Sequence, residues 1–236
     1  MNRPVLVVDV GTRPYGEVLE LQRSLVRRRL AQEHTDDLLL LVEHQPVITL
    51  GRGTRPTSVP LAPSELVRRG VEVFEVERGG DVTWHGPGQL VGYPILDLAG
   101  HRQDLHWYLR TLEAALIAAL DRLGVPASRT PGLTGVWAGG RKIASIGVHV
   151  KQWVTLHGFA LNVTNDLAGF DLIVPCGIEN VIMTSVARER SGTTEPSALW
   201  KETRAAVIDA FGELFDREPV GALLEANGTV SIQRTF

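Results

Sequence analysis

Gly135–Val163 reads GVWAGGRKIASIGVHVKQWVTLHGFALNV. Three strand-like runs succeed one another in it: Gly135–Trp137, Lys142–Val150 and Thr155–Val163. Only short breaks separate them, so they cluster as hairpins instead of alternating with helices. A doubly wound parallel sheet needs a helical crossover between strands. This stretch predicts α+β: mixed β-sheets flanked by helices.

The same pattern continues toward the N-terminus. Val5–Val10 reads as a buried strand, Leu38–Glu43 as an apolar strand, and Val47–Leu50, after Pro46, as another. Val71–Val76 alternates apolar and acidic residues, which suits a half-buried strand, and Gly92–Leu98 is a further strand. Tyr15–His34 has leucines near helical spacing and Arg27-Arg28-Arg29 on its wet side, and Pro14 suits a helix start. Ser64–Arg69 is a short helix stopped by Gly70. Leu105–Leu123 carries one continuous apolar stripe and ends at Gly124; Ala198–Phe215 is a late amphipathic helix. The loop Arg188–Ser197 is the one plausible domain boundary, but too little chain follows it for an independent core. The expectation is one domain over residues 1–236, with residues from about 197 to 236 as a C-terminal helical appendage.

The chain has 236 residues, a net charge of −3 and a hydrophobic share of 44%. That composition suits a globular core and lacks the basic excess of a dedicated nucleic-acid binder. The first apolar run is too short for a signal peptide, and no interior run approaches the roughly 18 residues of a membrane span. The single cysteine, Cys176, gives no disulfide framework and fits a reducing compartment, so the expected location is cytoplasmic.

Four stretches can carry chemistry. Arg78–Gln89 (RGGDVTWHGPGQ) crowds Gly, Pro and polar groups into one turn-rich segment, with neither a P-loop nor a dinucleotide fingerprint. It reads either as a ligand loop or as a tight double turn with Arg78 solvated. In Gly139–Gly147, Lys142 enters a strand; taken alone it is an exposed strand-start lysine. In Thr155–Val163, Gly158 and Ala160 make room for a ligand or for a neighbouring aromatic ring. Cys176 sits between Pro175 and Gly177, where it is a small buried hydrophobe or a nucleophile with the Gly177 and Ile178 amides nearby. The seven histidines show no metal-ligand spacing, so no metal is expected.

Together these stretches resemble the lipoyl(octanoyl) transferases. Arg78–Gln89, continued by Leu90–Pro94, matches that family's signature. Gly140–Gly147 (GRKIASIG), Leu156–Val163 (LHGFALNV) and Pro175–Ile178 (PCGI) follow in the family's order. The resemblance runs from about Val5 to Val186. Trp84 stands where Tyr is usual, and Ser145 where Ala is common. The family has the fold of lipoate and biotin protein ligases and needs no cofactor. It moves an octanoyl group from octanoyl-acyl carrier protein to the lysine of lipoyl domains. Those domains belong to 2-oxoacid dehydrogenase acyltransferase subunits and the glycine cleavage H protein.

The resemblance implies roles for individual residues. Cys176 would carry the acyl thioester and Lys142 would be its proton partner, with Gly177 N–H as oxyanion donor. Arg78, Gly79, Gly80, Asp81, Val82, Thr83, Trp84 and His85 would line the acyl site. So would Ser145, Ile146 and Gly147, and Gly158, Phe159 and Ala160. His85 and His157 would orient the dyad. Arg52, Arg55, Arg68, Arg69 and Arg141 are candidates for docking an acidic carrier protein. Two rival readings share the fold: an ATP-dependent lipoate–protein ligase, and a non-catalytic acyl-binding protein.

Overall fold

The computed structural model describes residues 3–175, 181–225 and 228–232. In chain order the elements are β1 (Arg3–Arg13), α1 (Tyr15–Leu30), β2 (Asp37–His44), β3 (Val47–Leu50), α2 (Pro63–Arg68), β4 (Glu72–Glu75), β5 (Val82–His85) and β6 (Gln89–Ile95). There follow α3 (Leu105–Arg122), β7 (Val136–Ala138), β8 (Arg141–Lys151), β9 (Val154–Asn162), α4 (Val186–Glu189), α5 (Pro196–Phe215), β10 (Arg217–Leu224) and β11 (Val230–Ile232). Eight strands form one sheet in the order β11-β10-β1-β2-β6-β9-β8-β7, and three form a smaller one, β4-β3-β5. Both sheets mix parallel and antiparallel pairs, as the hairpin clustering of the sequence predicts.

The period-two alternation of strands sorts the core into layers. Val5, Val7, Leu39 and Leu41 point to one face of the large sheet, where α3 and α5 supply Leu112, Leu116, Val207 and Phe211. Leu6, Val8, Leu38 and Leu40 point to the other face and meet Val18, Leu19 and Leu25 of α1. Strands buried on both faces therefore read as unbroken apolar runs. The Asp104 side chain caps α3 by accepting the Trp107 N–H at 3.0 Å. A third core lies under the small sheet, where Ile48 and Trp84 pack with Leu66 and Phe170.

Two expectations need correction. Arg78–Gln89 is not one loop, because Val82–His85 forms β5 and pairs antiparallel with β3. The C-terminal segment is also not a helical appendage. It is helical only to Phe215, and β10 then runs parallel to β1, extending the large sheet. The helix itself packs on α3 through Phe211 and Phe215. Buried apolar surface on α5 and the open edge of β1 draw this segment into the main fold.

Candidate active site

A cavity of about 200 Å³ lies between the two sheets, floored by β6, β8 and β9. Its floor is a consequence of register. Ser145 pairs with Ala160, and Gly147 with Gly158, so small residues face each other across two strands. A Cβ at Gly147 would meet Arg78 Cδ and the Gly79 carbonyl, both at 3.0 Å. At Gly158 a Cβ would collide with the Gly92 carbonyl at 2.1 Å, and at Gly92 it would run into the Phe159 ring at 2.2 Å. The small residues thus do both things the sequence left open: they make space and they seat an aromatic ring. The volume is below the roughly 300–1,000 Å³ of sites for drug-sized ligands, which suits a slim chain.

The opposite wall comes from residues 78–85 and the start of α1. Arg78 is buried, and a buried guanidinium must be hydrogen-bonded. It donates to the Asp81 carbonyl at 2.7 Å, the Gly79 carbonyl at 3.1 Å, and the Thr49 carbonyl and hydroxyl at 2.7 and 2.9 Å. This locks the turn onto β3, the reverse of a solvated arginine. Gly80, Asp81, Val82, Thr83 and His85 line the cavity. Gly79 and Trp84 do not line it. The Gly79 N–H is tied to the Val148 carbonyl at 2.9 Å. Trp84 points away from the cavity and packs edge-on against Phe170, as alternation along β5 requires.

Lys142 enters this cavity buried, only 1% exposed. Its Nζ lies 3.4 Å from the Thr134 carbonyl and 5.1 Å from the centre of the Trp137 ring. Its backbone N–H donates to the Ile182 carbonyl at 2.8 Å, and its carbonyl accepts the Thr184 N–H at 2.9 Å. A polar relay reaches the same place. His85 Nδ1 donates to Gln89 at 2.7 Å, Gln89 to Asn162 at 2.9 Å, and Asn162 to the Thr184 carbonyl at 2.9 Å. Burial, then the neighbouring His44, pushes His85 down to about 3, so its ring is neutral near pH 7.

Cys176 and Gly177 lie outside the described residues. On their N-terminal side, Val174 N–H donates to the Ser58 carbonyl at 2.8 Å. The Ser58 hydroxyl in turn donates to the Asp81 carboxylate at 2.8 Å. On their C-terminal side, Ile182 and Thr184 pair with Lys142 as described.

Tyr15 and Tyr93 line the cavity although the sequence does not single them out, and His44 and Glu77 stand next to lining residues. His44 Nδ1 donates to the Arg13 carbonyl, so its Nε2 accepts from Tyr93 OH, both at 2.9 Å. Burial lowers His44 to about 4. Tyr15 stacks on His85 at 6.0 Å, and burial raises its phenol. His157 has a φ of +61°, a left-handed conformation unusual away from glycine. Its N–H is held by Gln22 Oε1 at 3.0 Å. Its Nε2 stands 3.6 Å from Glu77, near enough for Coulombic attraction but beyond hydrogen-bond reach. His157 and Arg23 hold the Glu77 carboxyl well below the usual range. His157 is among the residues expected at the site, whereas only the proximity of Glu77 to Arg78 in sequence hints at its carboxylate partner.

The five arginines expected as docking candidates are partly engaged. Arg68 and Arg69 pair with Glu65. Arg141 makes a two-pronged contact with Glu189 at 2.8 and 2.7 Å, and Arg55 lies 3.8 Å from Asp81. Among the described residues, no group of three metal-ligating side chains could hold an ion.

The family model for the lipoyl protein ligase A/B catalytic domain matches residues 14–212. The chain belongs to the lipoyl protein ligase A/B family. The chain is 47% identical over 221 residues to a member named octanoyltransferase from Gloeobacter violaceus, covering 94% of this chain and 95% of that one. It is 48% identical over 219 residues to an octanoyltransferase from Geobacter sulfurreducens, covering 93% and 86%. The fold is that of the bipartite lipoate protein ligase of Thermoplasma acidophilum, with a TM-score of 0.75 at 17% identity, over 96% of this chain and 89% of that one. The expected mixed-sheet ligase fold is therefore the observed one.

Proposed function

We propose that this chain is an octanoyltransferase of protein lipoylation. It moves an octanoyl group from octanoyl-acyl carrier protein, through a thioester on Cys176, to the lysine of a lipoyl domain. The acceptors would be the lipoyl domains of 2-oxoacid dehydrogenase acyltransferase subunits and the glycine cleavage H protein. One observation carries the residue assignment. Lys142 is buried in a slim cavity, and the chain on both sides of Cys176 is anchored to that cavity's walls, through Ser58 to Asp81 and through Ile182–Thr184 to Lys142. The relatives named octanoyltransferase support the reaction class over an ATP-dependent ligase or a silent binding protein.

The chemistry follows from an acyl thioester that is already activated. A free thiol is only a few per cent thiolate at neutral pH. Lys142 takes the proton of Cys176, and the sulfur attacks the octanoyl carbonyl. The tetrahedral oxyanion accepts a hydrogen bond from Gly177 N–H. The carrier's sulfur leaves with the proton held by Lys142, and the acyl group rests on Cys176. The lipoyl-domain amine then attacks, gives its proton to Lys142, and an amide forms as the Cys176 sulfur is expelled and reprotonated. The neutral His85 and its relay orient the strand carrying Lys142. A free nucleophilic thiol needs a reducing compartment, which goes with a cytoplasmic location.

The test is intact-mass analysis after mixing the protein with octanoyl-acyl carrier protein alone. The expected result is one octanoyl group, mapped by peptide analysis to Cys176 and discharged by added lipoyl domain. Full turnover by Cys176→Ala, with no adduct on the native protein, would overturn the assignment.

A further inference from the structure

Glu113 is a fully buried carboxylate that the proposed chemistry does not use. It sits on α3 with a side chain 0% exposed, and such a charge persists only when paired and hydrogen-bonded. Its Oε2 accepts Arg110 Nη1 at 2.6 Å and Arg129 Nε at 2.9 Å. Its Oε1 accepts the backbone N–H of Gly135 at 3.1 Å. The carbonyl of that same peptide group belongs to Thr134, and it faces Lys142 Nζ at 3.4 Å. One peptide unit therefore stands between the carboxylate and the lysine, with its donor end on Glu113 and its acceptor end toward Lys142.

The surroundings fix this peptide in place. Ser128 and Trp137 exchange backbone hydrogen bonds of 2.8 and 2.9 Å, closing the loop between them. Gly135 has a φ of +138°, and a Cβ there would lie 2.9 Å from Lys142 Cε and 2.7 Å from the Ala144 carbonyl. Glycine is needed both for the backbone angle and for the approach of the lysine stem. A negative charge on an amide N–H polarises the group and makes its carbonyl a stronger acceptor. The ammonium form of Lys142, the stronger donor, gains more from this than the amine form.

We propose that Glu113 is a positioning residue for Lys142, acting through the Thr134–Gly135 peptide to favour the ammonium. The proposal rests on the reading of Lys142 as proton partner of Cys176. An ammonium beside the sulfur favours the thiolate, so Glu113 lowers the pH at which Cys176 becomes reactive. Around the carboxylate, Arg110 and Arg129 offset its charge. Around the lysine, the cavity also holds Arg78, Asp81, His85 and His157, with Tyr15 and Tyr93 behind them. Glu189, beside the outer end of β8, is engaged by Arg141 and Thr184.

Cys176 is the chain's only cysteine, so alkylation by iodoacetamide reports on one atom. Its rate is measured across the neutral to alkaline range for the native protein and for Glu113→Gln, Glu113→Ala, Arg129→Gln and Lys142→Met. Glu113→Gln keeps the shape and the acceptor but loses the charge. Its midpoint rises by about half to one unit, and that of Lys142→Met rises further. Arg129→Gln, at a half-exposed position, lowers the midpoint because less of the carboxylate charge is offset. Unmoved midpoints in both Glu113 variants, beside a shifted Lys142→Met, overturn the proposal and leave the Lys142 reading standing. A midpoint unmoved in Lys142→Met overturns both. A midpoint raised alike in Glu113→Gln and Arg129→Gln points to simple loosening of the loop and also overturns the proposal.

Discussion

Gly147→Ala tests whether the cavity measures the acyl chain, as the proposed function requires. Gly147 follows Lys142 by five positions on β8, a run of roughly 16 Å at about 3.3 Å per residue. An eight-carbon chain has seven C–C bonds of about 1.5 Å and reaches about 9 Å when extended. A chain whose carbonyl sits at Lys142 ends near Ser145, about 10 Å along the strand, and its last carbons reach Gly147 when the carbonyl sits about 7 Å further along β8. The new Cβ would lie 3.0 Å from Arg78 Cδ and 3.0 Å from the Gly79 carbonyl. Neither can retreat freely, because Arg78 is held by its contacts to Thr49, Gly79 and Asp81 and Gly79 by Val148. The added carbon tightens the far end of the cavity at an overpacking cost of about 1–3 kcal/mol.

The functional consequence is a shift in chain length. Each methylene excluded from the cavity loses about 0.8 kcal/mol. Two of them change the hexanoyl-to-octanoyl ratio of kcat/KM by about fifteenfold in favour of hexanoyl. The assay is competition between hexanoyl- and octanoyl-carrier thioesters, read by mass on the lipoyl domain. Trp84→Phe is the contrast. It lies behind β5 against Phe170, so it lowers stability and leaves the ratio unchanged. An unchanged ratio in Gly147→Ala, or a moved ratio in Trp84→Phe, would refute this account of the cavity.

Other outcomes follow from buried polar groups. His44 and His85 are lowered to about 4 and about 3 by burial, whereas unfolded histidine titrates near 6.5. Their stabilising effect is complete above that unfolded value and is lost as pH falls toward the folded values. Urea melts at pH 7 and pH 5 should differ by about 2 kcal/mol per histidine, and equal stabilities would contradict it. Tyr93→Phe removes the donor to His44 Nε2 and costs about 1–3 kcal/mol, measured by urea denaturation; a loss under half a kcal/mol would count against the bond. Asp37 is buried, which alone would raise its carboxyl, but His101 and Arg217 hold it below the usual range. Asp37→Asn leaves Arg217 unpaired and costs about 3–5 kcal/mol near neutral pH. Because the folded value is depressed, the gap to the native protein narrows as pH falls through it; a gap independent of pH would refute the ion pair.

Secondary structure was legible wherever one face decides the pattern. The β8–β9 hairpin and the stripe of α3 needed only period and punctuation. Val82–His85 was hidden because Gly79-Gly80 and Gly86-Pro87-Gly88 surround it, and its pairing with β3 is a long-range fact. β10 was hidden for a different reason. Arg217–Leu224 carries Pro219 and Gly221 and is largely exposed, so it forms because β1 has an open edge, not because of its own propensity. Site residues divide the same way. Gly158 and Ala160 were legible as small residues on a strand, whereas Ser145 and Gly147 entered only through the family resemblance. Trp84 was misplaced because motif membership does not say which face of a strand a residue takes. Lys142 looked exposed because nothing within its own stretch shows that residues 132–134 and 182–184 close over it.

That closure bears on how the active site is assembled. Lys142 is buried by segments on either side of it in sequence: the Thr134 loop, pinned to α3 by Glu113, and Ile182–Thr184, which pairs with its backbone. The second of these is also the chain that leads out of the Cys176 stretch. A change that loosens Ile182–Thr184 therefore exposes the lysine and frees one anchor of the proposed nucleophile together. Asn162 is where that coupling is most accessible to experiment. Its amide donates to the Thr184 carbonyl while its oxygen accepts from Gln89 and Asn165. Asn162→Asp keeps the acceptor and turns the donor into a carboxylate that faces a carbonyl. Repulsion there should slow Cys176 alkylation and acyl transfer in parallel while the large sheet stays folded. If transfer fell with alkylation unchanged, the lysine and the nucleophile would be held independently, and the relay from His85 would not be what couples them.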